Sequence, residues 1–587
     1  MTRAAVLLIA VATLVRLGWA AALPASTDEA YHWQYTLHPA LSYFDHPPMT
    51  MLVAKAGIAL CGGWVHPFSL RLGFVLLCAG TSWFLFKWTA HCFGDRAGVW
   101  AVLGFSLSHY LTAFGGPFAL PDSPLFFFAV LTWWQISRIV SLRVPPSPGG
   151  RGVRGEGDSS HLPPLRGGRR AAAGGESSTS NTESPLPVAS QPTSPQRGEV
   201  FQTAPGGVNT VSIHSTSPLP ALPPGKGGTS KVGSWLLVGI GFGGAMLSKY
   251  HGILLPAGVV MYAIVTPGAR RLLWSPGPYP AVLVGLTLFS PVLYWNATHD
   301  WASFKFQGGR MGGGGSPLAH GGPLVWLVGP LVFLLPWMWF WLTLELGRRV
   351  VRFGRAVGVE RLLVCLSAVP LTFFLANSVL TGRVLPHWPL LGFLPLFPLA
   401  GARWASLRLR DPRAAWWMAI CWGAAELAIL AAILVQVKTG VIPVPSGFID
   451  ETRAFSGWES VVEKLEERGI PPEPGAFLVT NSWDDSAQLA FVLRGRVPVA
   501  CFHSFDARGF AFWSRPDDYL GRTGYMVLVD QPDEADIFRQ FSYFFTTMTK
   551  CDEFPMTRGG VPFRTVRVYR CETQLLPYPF DYRTRDK

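Results

Sequence analysis

The chain has 587 residues, of which 49% are hydrophobic and only 14% are charged. Soluble globular proteins carry about a quarter charged residues, so the composition excludes an ordinary soluble multidomain protein and favours membrane-spanning helices. The formal net charge of +13 is typical of basic cytoplasmic loops. It does not indicate nucleic-acid binding, because no basic patch with interleaved aromatic residues lies in a soluble segment.

Long apolar runs predict about eleven membrane-spanning helices. The first run, 4–23, follows Arg3 and is interpreted as a retained helix, because no cleavage site precedes a soluble domain. The other runs are 68–88, 99–115, 125–142, 236–247, 251–265, 281–296, 325–346, 362–380, 385–401 and 414–437. The runs on either side of Lys249 are short for a bilayer core of about 30 Å.

Basic residues predict the orientation of these spans. They cluster at Arg138 and Arg143, at Arg270 and Arg271, and in 348–361 and 403–413. Lys and Arg accumulate on the cytoplasmic side of membranes. Threading the spans from a cytoplasmic N-terminus places all four groups inside, and it places the first loop, 24–50, and the tail, 442–587, outside.

Two hydrophilic regions interrupt this pattern and give four predicted segments. Residues 144–232 are rich in Pro, Gly, Ser and Arg, which predicts a disordered cytoplasmic insertion. It separates membrane helices in 1–143 from those in 233–441. The tail, 442–587, is predicted to be a small periplasmic α/β domain.

Within the tail, the helical periodicity of 458–468 and 533–548 alternates with short runs of strand character at 476–480, 497–502, 525–529 and 565–570. Outside the cytoplasm, two of Cys501, Cys551 and Cys571 could pair. The acidic stretches 481–485 and 506–510 follow predicted strands, and we interpret them as turn and cap residues.

The first outer loop concentrates groups that could do chemistry. It contains Asp28, Glu29, His32, Asp45 and His46 among aromatic residues. Acids at a membrane surface are costly unless they are solvated, paired or used. The alternative is an interfacial helix capped by Ser26 or Thr27, with its acids at the helix N-terminus and its aromatic rings in the interfacial belt.

The motif order resembles the GT-C class of membrane glycosyltransferases. Asp28-Glu29-Ala30-Tyr31 after a first helix, with the later segment 43–48, resembles the first outer loop of bacterial relatives of protein O-mannosyltransferases and of the lipid A aminoarabinose transferase. The aminoarabinose transferase has Glu-Lys where this chain has Asp45-His46. Further motifs follow in the family's order at 121–124, 247–252, 295–304, 381–383 and 386–389.

The resemblance implies an inverting enzyme of the bacterial inner membrane. It would transfer a sugar from a polyprenyl-phosphate donor to an envelope acceptor such as lipid A, a polysaccharide or a protein, in a periplasmic site. It also implies Asp28 as the base that accepts the acceptor's hydroxyl proton, with Glu29 beside it in a supporting role. The implied donor- and phosphate-binding residues are Asp45, His46, Lys249, Tyr250, Arg383 and His387, and Tyr31 and Asp122 are further candidates.

Other interpretations stay open from the residues alone. Lys249 could be a snorkelling lysine at a helix end, Arg383 an interfacial arginine, and His387 a residue packed beside Trp388. Asp28, Asp45, Asp122 and His46 could converge on a divalent metal, although no ligand spacing requires one, and we assign neither a metal site nor a cofactor. The rival class is a transporter or flippase for a lipid or sugar, but the chain has no internal repeat of the kind that transporters often show.

Overall fold

The first 439 residues are almost entirely helical where the structure describes them. The computed structural model describes residues 1–141, 231–312, 322–356, 358–445, 450–503, 505–531 and 533–578. The helices before the first gap are α1 (Thr2–Ala22), α2 (Thr27–Leu37), α3 (Met49–Leu60), α4 (Pro67–Phe93), α5 (Asp95–Ser106), α6 (His109–Ala113) and α7 (Asp122–Ser141). Those after it are α8 (Lys231–Ser248), α9 (Leu254–Val265), α10 (Arg270–Leu273), α11 (Pro278–Thr298), α12 (Ala302–Gly312), α13 (Gly322–Leu334), α14 (Pro336–Val351), α15 (Val359–Thr381), α16 (Leu390–Phe393), α17 (Leu396–Arg410) and α18 (Pro412–Thr439).

The apolar surface of these helices identifies a membrane protein. Within the described ranges, six segments are long and apolar enough to cross a membrane: α1, α4, α11, α15, α16 with α17, and α18. Two sharply bent pairs, α9 with α10 and α13 with α14, raise the number to eight. Leu14, Leu283 and Trp417 are each about two-thirds exposed, an arrangement that suits contact with lipid and would be unfavourable in water.

The described residues thus give six to eight spans by length and composition, and the predicted number of eleven is not confirmed. The predicted span 99–115 is divided between α5 and α6 by a turn at Leu107 and Ser108. The span 325–346 bends by 116° between α13 and α14. At that bend Leu335 has a positive φ of 67°, and Pro336 cannot donate a backbone hydrogen bond to continue the helix.

The predicted insertion lies almost wholly outside the described residues. Its last two positions, Lys231 and Val232, are described and belong to α8. Helix α2 corresponds to the capped interfacial helix that the sequence offered as the alternative for the outer loop, whereas α3 was not predicted as an element.

The predicted small α/β domain is present after α18. Its strands are β1 (Phe477–Thr480), β2 (Val499–Cys501), β3 (Gly524–Val529), β4 (Phe545–Arg558) and β5 (Val561–Gln574), and its helices are α19 (Trp458–Glu467), α20 (Trp483–Val492), α21 (Phe510–Trp513) and α22 (Glu534–Phe541). The strand order is β2-β1-β3-β5-β4. Strand β1 runs parallel to β2 and β3, whereas β5 runs antiparallel to β3 and β4.

Two details of the tail differ from the sequence prediction. The predicted helix 533–548 is helical only over Glu534–Phe541, and Phe545 begins β4. The aromatic and β-branched residues around Phe545 favour a strand. All eight cysteines, which all lie in described ranges, are unpaired thiols, so no disulfide joins Cys501, Cys551 or Cys571.

The sheet domain packs directly on the first outer loop. The membrane helices and the sheet domain belong to one compact unit. The Trp33 ring on α2 meets the Phe491 ring on α20 edge to face, with 5.4 Å between centroids. The Tyr31 ring likewise contacts rings of the sheet domain, those of Trp483, Phe510 and Trp513. Aromatic burial therefore fixes this loop between the membrane helices and the domain.

Candidate active site

A cavity of about 910 Å³ lies where the outer loop, several helix ends and the sheet domain meet. Seven of the ten predicted site residues line it. They are Asp28, Asp45, His46, Asp122, Lys249, Tyr250 and His387. The fold therefore brings together residues that lie more than 350 positions apart, since Asp28 and His387 face the same space.

Asp28 and Glu29, the adjacent acids in the first turn of α2, differ in burial and in their contacts. Glu29 is fully buried, and both of its oxygens accept hydrogen bonds from the Arg71 guanidinium, at 2.7 Å from Nε and 2.6 Å from Nη2. It also accepts from the backbone N–H of Ala119 and, in a capping box, from that of Ser26. Burial raises the pKa of Glu29, but Arg71 and these hydrogen bonds lower it overall.

Glu29 is therefore a structural anion away from the cavity. The predicted capping of this helix by Ser26 is correct, and it involves Glu29 rather than Asp28.

Asp28 is in the opposite situation. It is exposed and lines the cavity. No hydrogen bond or ion pair to its carboxylate is present within the described residues. Its position in the first turn of α2 favours a negative charge there. A carboxylate that is accessible and not engaged is suited to accept a proton from a bound hydroxyl group.

Lys249 reaches the cavity because the chain leaves helical geometry at the end of α8. Ser248 is the last residue of α8, and Lys249 is extended, with φ −157° and ψ 142°. Its ammonium lies 3.0 Å from each oxygen of Asp122, and both side chains are only 7% exposed. An ammonium has three donors, so this pair occupies two of them. A buried lysine held by a carboxylate at a cavity wall is not a snorkelling residue.

Asp45 is held by two buried tyrosines. Both Tyr31 and Tyr35 donate hydroxyl hydrogen bonds to Asp45 Oδ1, the first at 3.1 Å. Burial and the Asp45 charge raise the pKa of both phenols well above the usual value, so they stay protonated and keep donating. Tyr31 itself lies behind Asp45 and does not line the cavity. The two hydroxyl groups thus fix the Asp45 carboxylate at the cavity wall, and its predicted role in donor binding stays a prediction.

His46 and His387 line the cavity as neutral rings. Burial, together with the charges of His32 and Lys249, lowers the pKa of His46 well below its usual value. Burial and the Lys249 charge likewise lower the pKa of His387 to about 4. The His387 ring stacks on Tyr110, with centroids 5.9 Å apart. These histidines can offer hydrogen bonds to a ligand, but near pH 7 they do not supply the positive charge expected from the sequence.

Tyr250 and Arg383 complete the predicted set. The Tyr250 hydroxyl lies 2.6 Å from Ser303 Oγ, which ties the turn after α8 to α12. Arg383 is half-buried and is not among the residues that line the cavity. Its backbone carbonyl accepts a hydrogen bond from Asn377 and its N–H donates to Thr381, so the turn holds its main chain.

Two arginines in the cavity were not predicted. Arg310 is on α12, six positions beyond the motif 295–304, and Arg508 is on the sheet domain, in the stretch interpreted as turn residues. The signal that could have identified Arg310 is its basic charge in a predicted outer loop, where basic residues are scarce. Nothing in the local sequence distinguishes Arg508, because only the domain packing brings it to the cavity.

One wall of the cavity is apolar and comes from α13. This wall contains Leu324, Val325, Val328 and Val332. The helix approaches the 385–388 turn closely at Gly329, where a Cβ atom would lie 2.6 Å from Pro386 Cα. The cavity is thus polar toward the sheet domain and apolar toward α13.

Asp28, Asp45, Asp122 and His46, the residues considered as metal ligands, line one cavity but do not converge on one point among the described residues. Within the ranges that the structure describes, no three His, Cys, Asp or Glu side chains are placed to hold a metal ion. Asp122 is engaged by Lys249, and Asp45 by the two tyrosines.

Comparisons with known proteins agree with this architecture. The sequence profile of the dolichyl-phosphate-mannose-protein mannosyltransferase family matches residues 45–144 and 228–295. The fold is similar to that of ArnT from Cupriavidus metallidurans in the apo state, with 15% sequence identity and a TM-score of 0.55 over 96% of this chain and 97% of that chain.

The same protein bound to undecaprenyl phosphate matches with 16% identity and a TM-score of 0.54, over the same shares of the two chains. No curated protein sequence matches the chain. The resemblance to GT-C membrane glycosyltransferases that the motifs predicted is confirmed.

Proposed function

We propose that this protein is an inverting glycosyltransferase that moves a sugar from a polyprenyl-phosphate donor to a hydroxyl group of a cell-envelope acceptor. The acceptor class, lipid A, polysaccharide or protein, follows from the sequence resemblance. ArnT, whose fold this chain shares, has been solved with undecaprenyl phosphate bound, which supports a lipid-linked donor.

One observation carries the proposal. A single cavity contains the unengaged carboxylate of Asp28, the cations Lys249, Arg310 and Arg508, and an apolar wall along α13. Transfer from a lipid phosphate needs these three features: a base, compensation for the charge of the leaving phosphate, and a surface for the lipid chain.

Asp28 is the proposed general base. The acceptor oxygen attacks the anomeric carbon of the donor sugar while its proton passes to the Asp28 carboxylate. The bond between that carbon and the phosphate oxygen breaks, and the electron pair leaves with the polyprenyl phosphate. A single displacement from the opposite face inverts the configuration at the anomeric carbon.

Lys249 and Arg310 are proposed to face the donor phosphate. The leaving group gains negative charge as its bond breaks, and fixed cations lower the energy of that transition state. Asp122 orients Lys249 by accepting hydrogen bonds from its ammonium group at both carboxylate oxygens. Burial and the nearby Arg508 charge lower the pKa of Arg310. An anion between Arg310 and Arg508 would reduce the repulsion between these two arginines.

The proposed orientation places the cavity on the periplasmic face of an inner membrane. Helix α7 has Asp122 at its cavity end and Arg138 in its last turn, at the other end. Arg348 and Arg349 in the last turn of α14 follow the same basic pattern. Basic helix ends belong to the cytoplasmic side, so the sheet domain and the cavity are proposed to be periplasmic.

The test is transfer by the purified full-length protein in nanodiscs. The donor probe is the pool of undecaprenyl-phosphate sugars extracted from the host membrane, and the readout is release of undecaprenyl phosphate by mass spectrometry. We expect release that depends on added envelope extract. Mass spectra of envelope lipids and glycans from cells with and without the gene would identify the product.

A transporter or flippase predicts a different result. It would move the lipid-linked sugar between leaflets while leaving the sugar–phosphate bond intact. Movement without release of undecaprenyl phosphate would therefore contradict the proposed function.

A further inference from the structure

The sheet domain inserts one arginine into the cavity. The Arg508 side chain is 16% exposed and lines the same space as Asp28 and Lys249. Its guanidinium carbon lies 3.5 Å from the centroid of the Trp483 ring. Its Nη1 lies 3.8 Å from Asp45 Oδ2, and its Nε lies 3.7 Å from Asp506 Oδ1. At these separations the acids act mainly through charge rather than as a bidentate pair.

The loop that bears this arginine has a specific, strained conformation. Arg508 has a φ of 46°, in the left-handed region that non-glycine residues seldom adopt. The next residue, Gly509, donates its backbone N–H to the Tyr31 hydroxyl at 2.9 Å. Tyr31 in turn donates to Asp45. One chain of hydrogen bonds therefore links the loop at Gly509 to Asp45 through the Tyr31 hydroxyl. This chain holds the loop in the conformation in which the Arg508 guanidinium faces the cavity.

Domain attachment alone does not account for this arrangement. A second buried arginine of the same domain, Arg558, does serve as a clasp. It binds Asp450 at 2.9 Å and Thr452 at 3.1 Å, next to the end of α18, and it does not line the cavity. Arg508 differs because it faces the cavity, and because its two acids are at longer range.

The cavity brings Arg508 near a second guanidinium. Arg310 lines the same space from α12, and the charge of Arg508 is among the groups that act on it. Asp28, Asp45 and Asp506 offset part of the repulsion between these two cations, and a phosphate between the guanidinium groups would offset it further. A phosphate with several acceptor oxygens suits two planar guanidinium groups.

We propose that Arg508 is a phosphate-binding residue that the sheet domain supplies to the donor site, positioned by Asp45 and Trp483. This inference rests on the proposed function. Arg508 and Arg310 hold the phosphate from opposite elements, so donor binding requires the sheet domain to be docked.

The experiment measures the affinity of the purified full-length protein for undecaprenyl phosphate by native mass spectrometry. Arg508→Gln should weaken binding by about tenfold to a hundredfold, because a charge-assisted bond to phosphate is lost. Arg508→Lys should recover part of that affinity, since it restores the charge but not the planar fork. Asp45→Asn should also weaken binding, and in the Arg508→Gln background it should have little further effect.

Arg558→Gln is the matched control. It also removes a buried arginine from the sheet domain, so it should lower the melting temperature while leaving undecaprenyl phosphate affinity within about twofold. Unchanged affinity in folded Arg508→Gln, or equal losses in both variants, would overturn the inference. Wild-type protein that binds undecaprenyl phosphate but releases none from the donor pool would instead contradict the proposed function alone.

Discussion

Two adjacent acids at the start of α2 give a sharp test of the proposed chemistry. Asp28→Asn removes the base with almost no change in shape. Asp28 is exposed in the cavity, so the structural cost is limited to its favourable position at a helix N-terminus, about 0.3–1 kcal/mol. An amide cannot accept the acceptor's proton, and loss of a general base typically slows a reaction by about 10²–10⁴-fold.

Glu29→Gln should show the reverse behaviour. It breaks a fully buried pair with Arg71, and removing one partner of such a pair costs about 3–5 kcal/mol. We expect a clear fall in melting temperature and a loss of folded protein in the membrane fraction. Any Glu29→Gln protein that does fold should keep its proton-accepting group at Asp28 and remain active.

The assay is release of undecaprenyl phosphate at saturating donor, with the melting temperature measured on the same samples. The expected pattern is an inactive, stable Asp28→Asn and a destabilised Glu29→Gln. Near-normal turnover by Asp28→Asn would remove Asp28 from the mechanism, and Glu29 could not replace it because it does not line the cavity.

Three further outcomes follow from the described contacts. Lys249→Gln should reduce stability, because it leaves Asp122 buried and uncompensated, and it should reduce undecaprenyl phosphate affinity, because the proposed phosphate-binding cation is lost. Adding Asp122→Asn should restore the melting temperature but not the affinity. Burial and the Asp484 charge raise the pKa of Asp485 to about 7. Asp485 in the folded state then keeps a proton that the unfolded chain loses above about pH 4. The free energy of unfolding therefore decreases as the pH rises from about 4 to about 7. Asp485→Asn should therefore raise the melting temperature by a few degrees at pH 8 and leave it unchanged at pH 3. Finally, the exposed Cys551 should react with a membrane-impermeant maleimide in intact spheroplasts, with Cys551→Ser as the control; reaction only after permeabilisation would contradict the periplasmic placement.

The sequence predicted the membrane class, the sheet domain and seven of the residues that line the cavity, because those features depend on local patterns. Apolar runs, basic loops and short strands can each be read in a window of about twenty residues. The number of spans was less predictable. Hydropathy does not show that Leu335 has a positive φ and that the chain bends there by 116°.

The roles within the cavity depended on pairing that no local pattern reveals. Asp28 and Glu29 are indistinguishable in sequence, and only Arg71 on α4 decides which of them is buried. His46 and His387 were predicted to bind the donor phosphate, and no local pattern shows that burial beside Lys249 lowers the pKa of both rings and keeps them neutral. Gly509, the residue after Arg508, contacts Tyr31 across 478 positions, a separation beyond any motif.

That separation constrains how the protein can be made. The cavity has its first residues near position 26 and its last at Arg508, so a nascent chain inserts its helices long before the site can close. Until α20 and α21 of the sheet domain are synthesised, the aromatic face of α2 that packs against Phe491 and Trp513 has no cover. A chain that ends before the sheet domain would therefore have an open cavity without Arg508, and the cavity is complete only when that domain packs on α2.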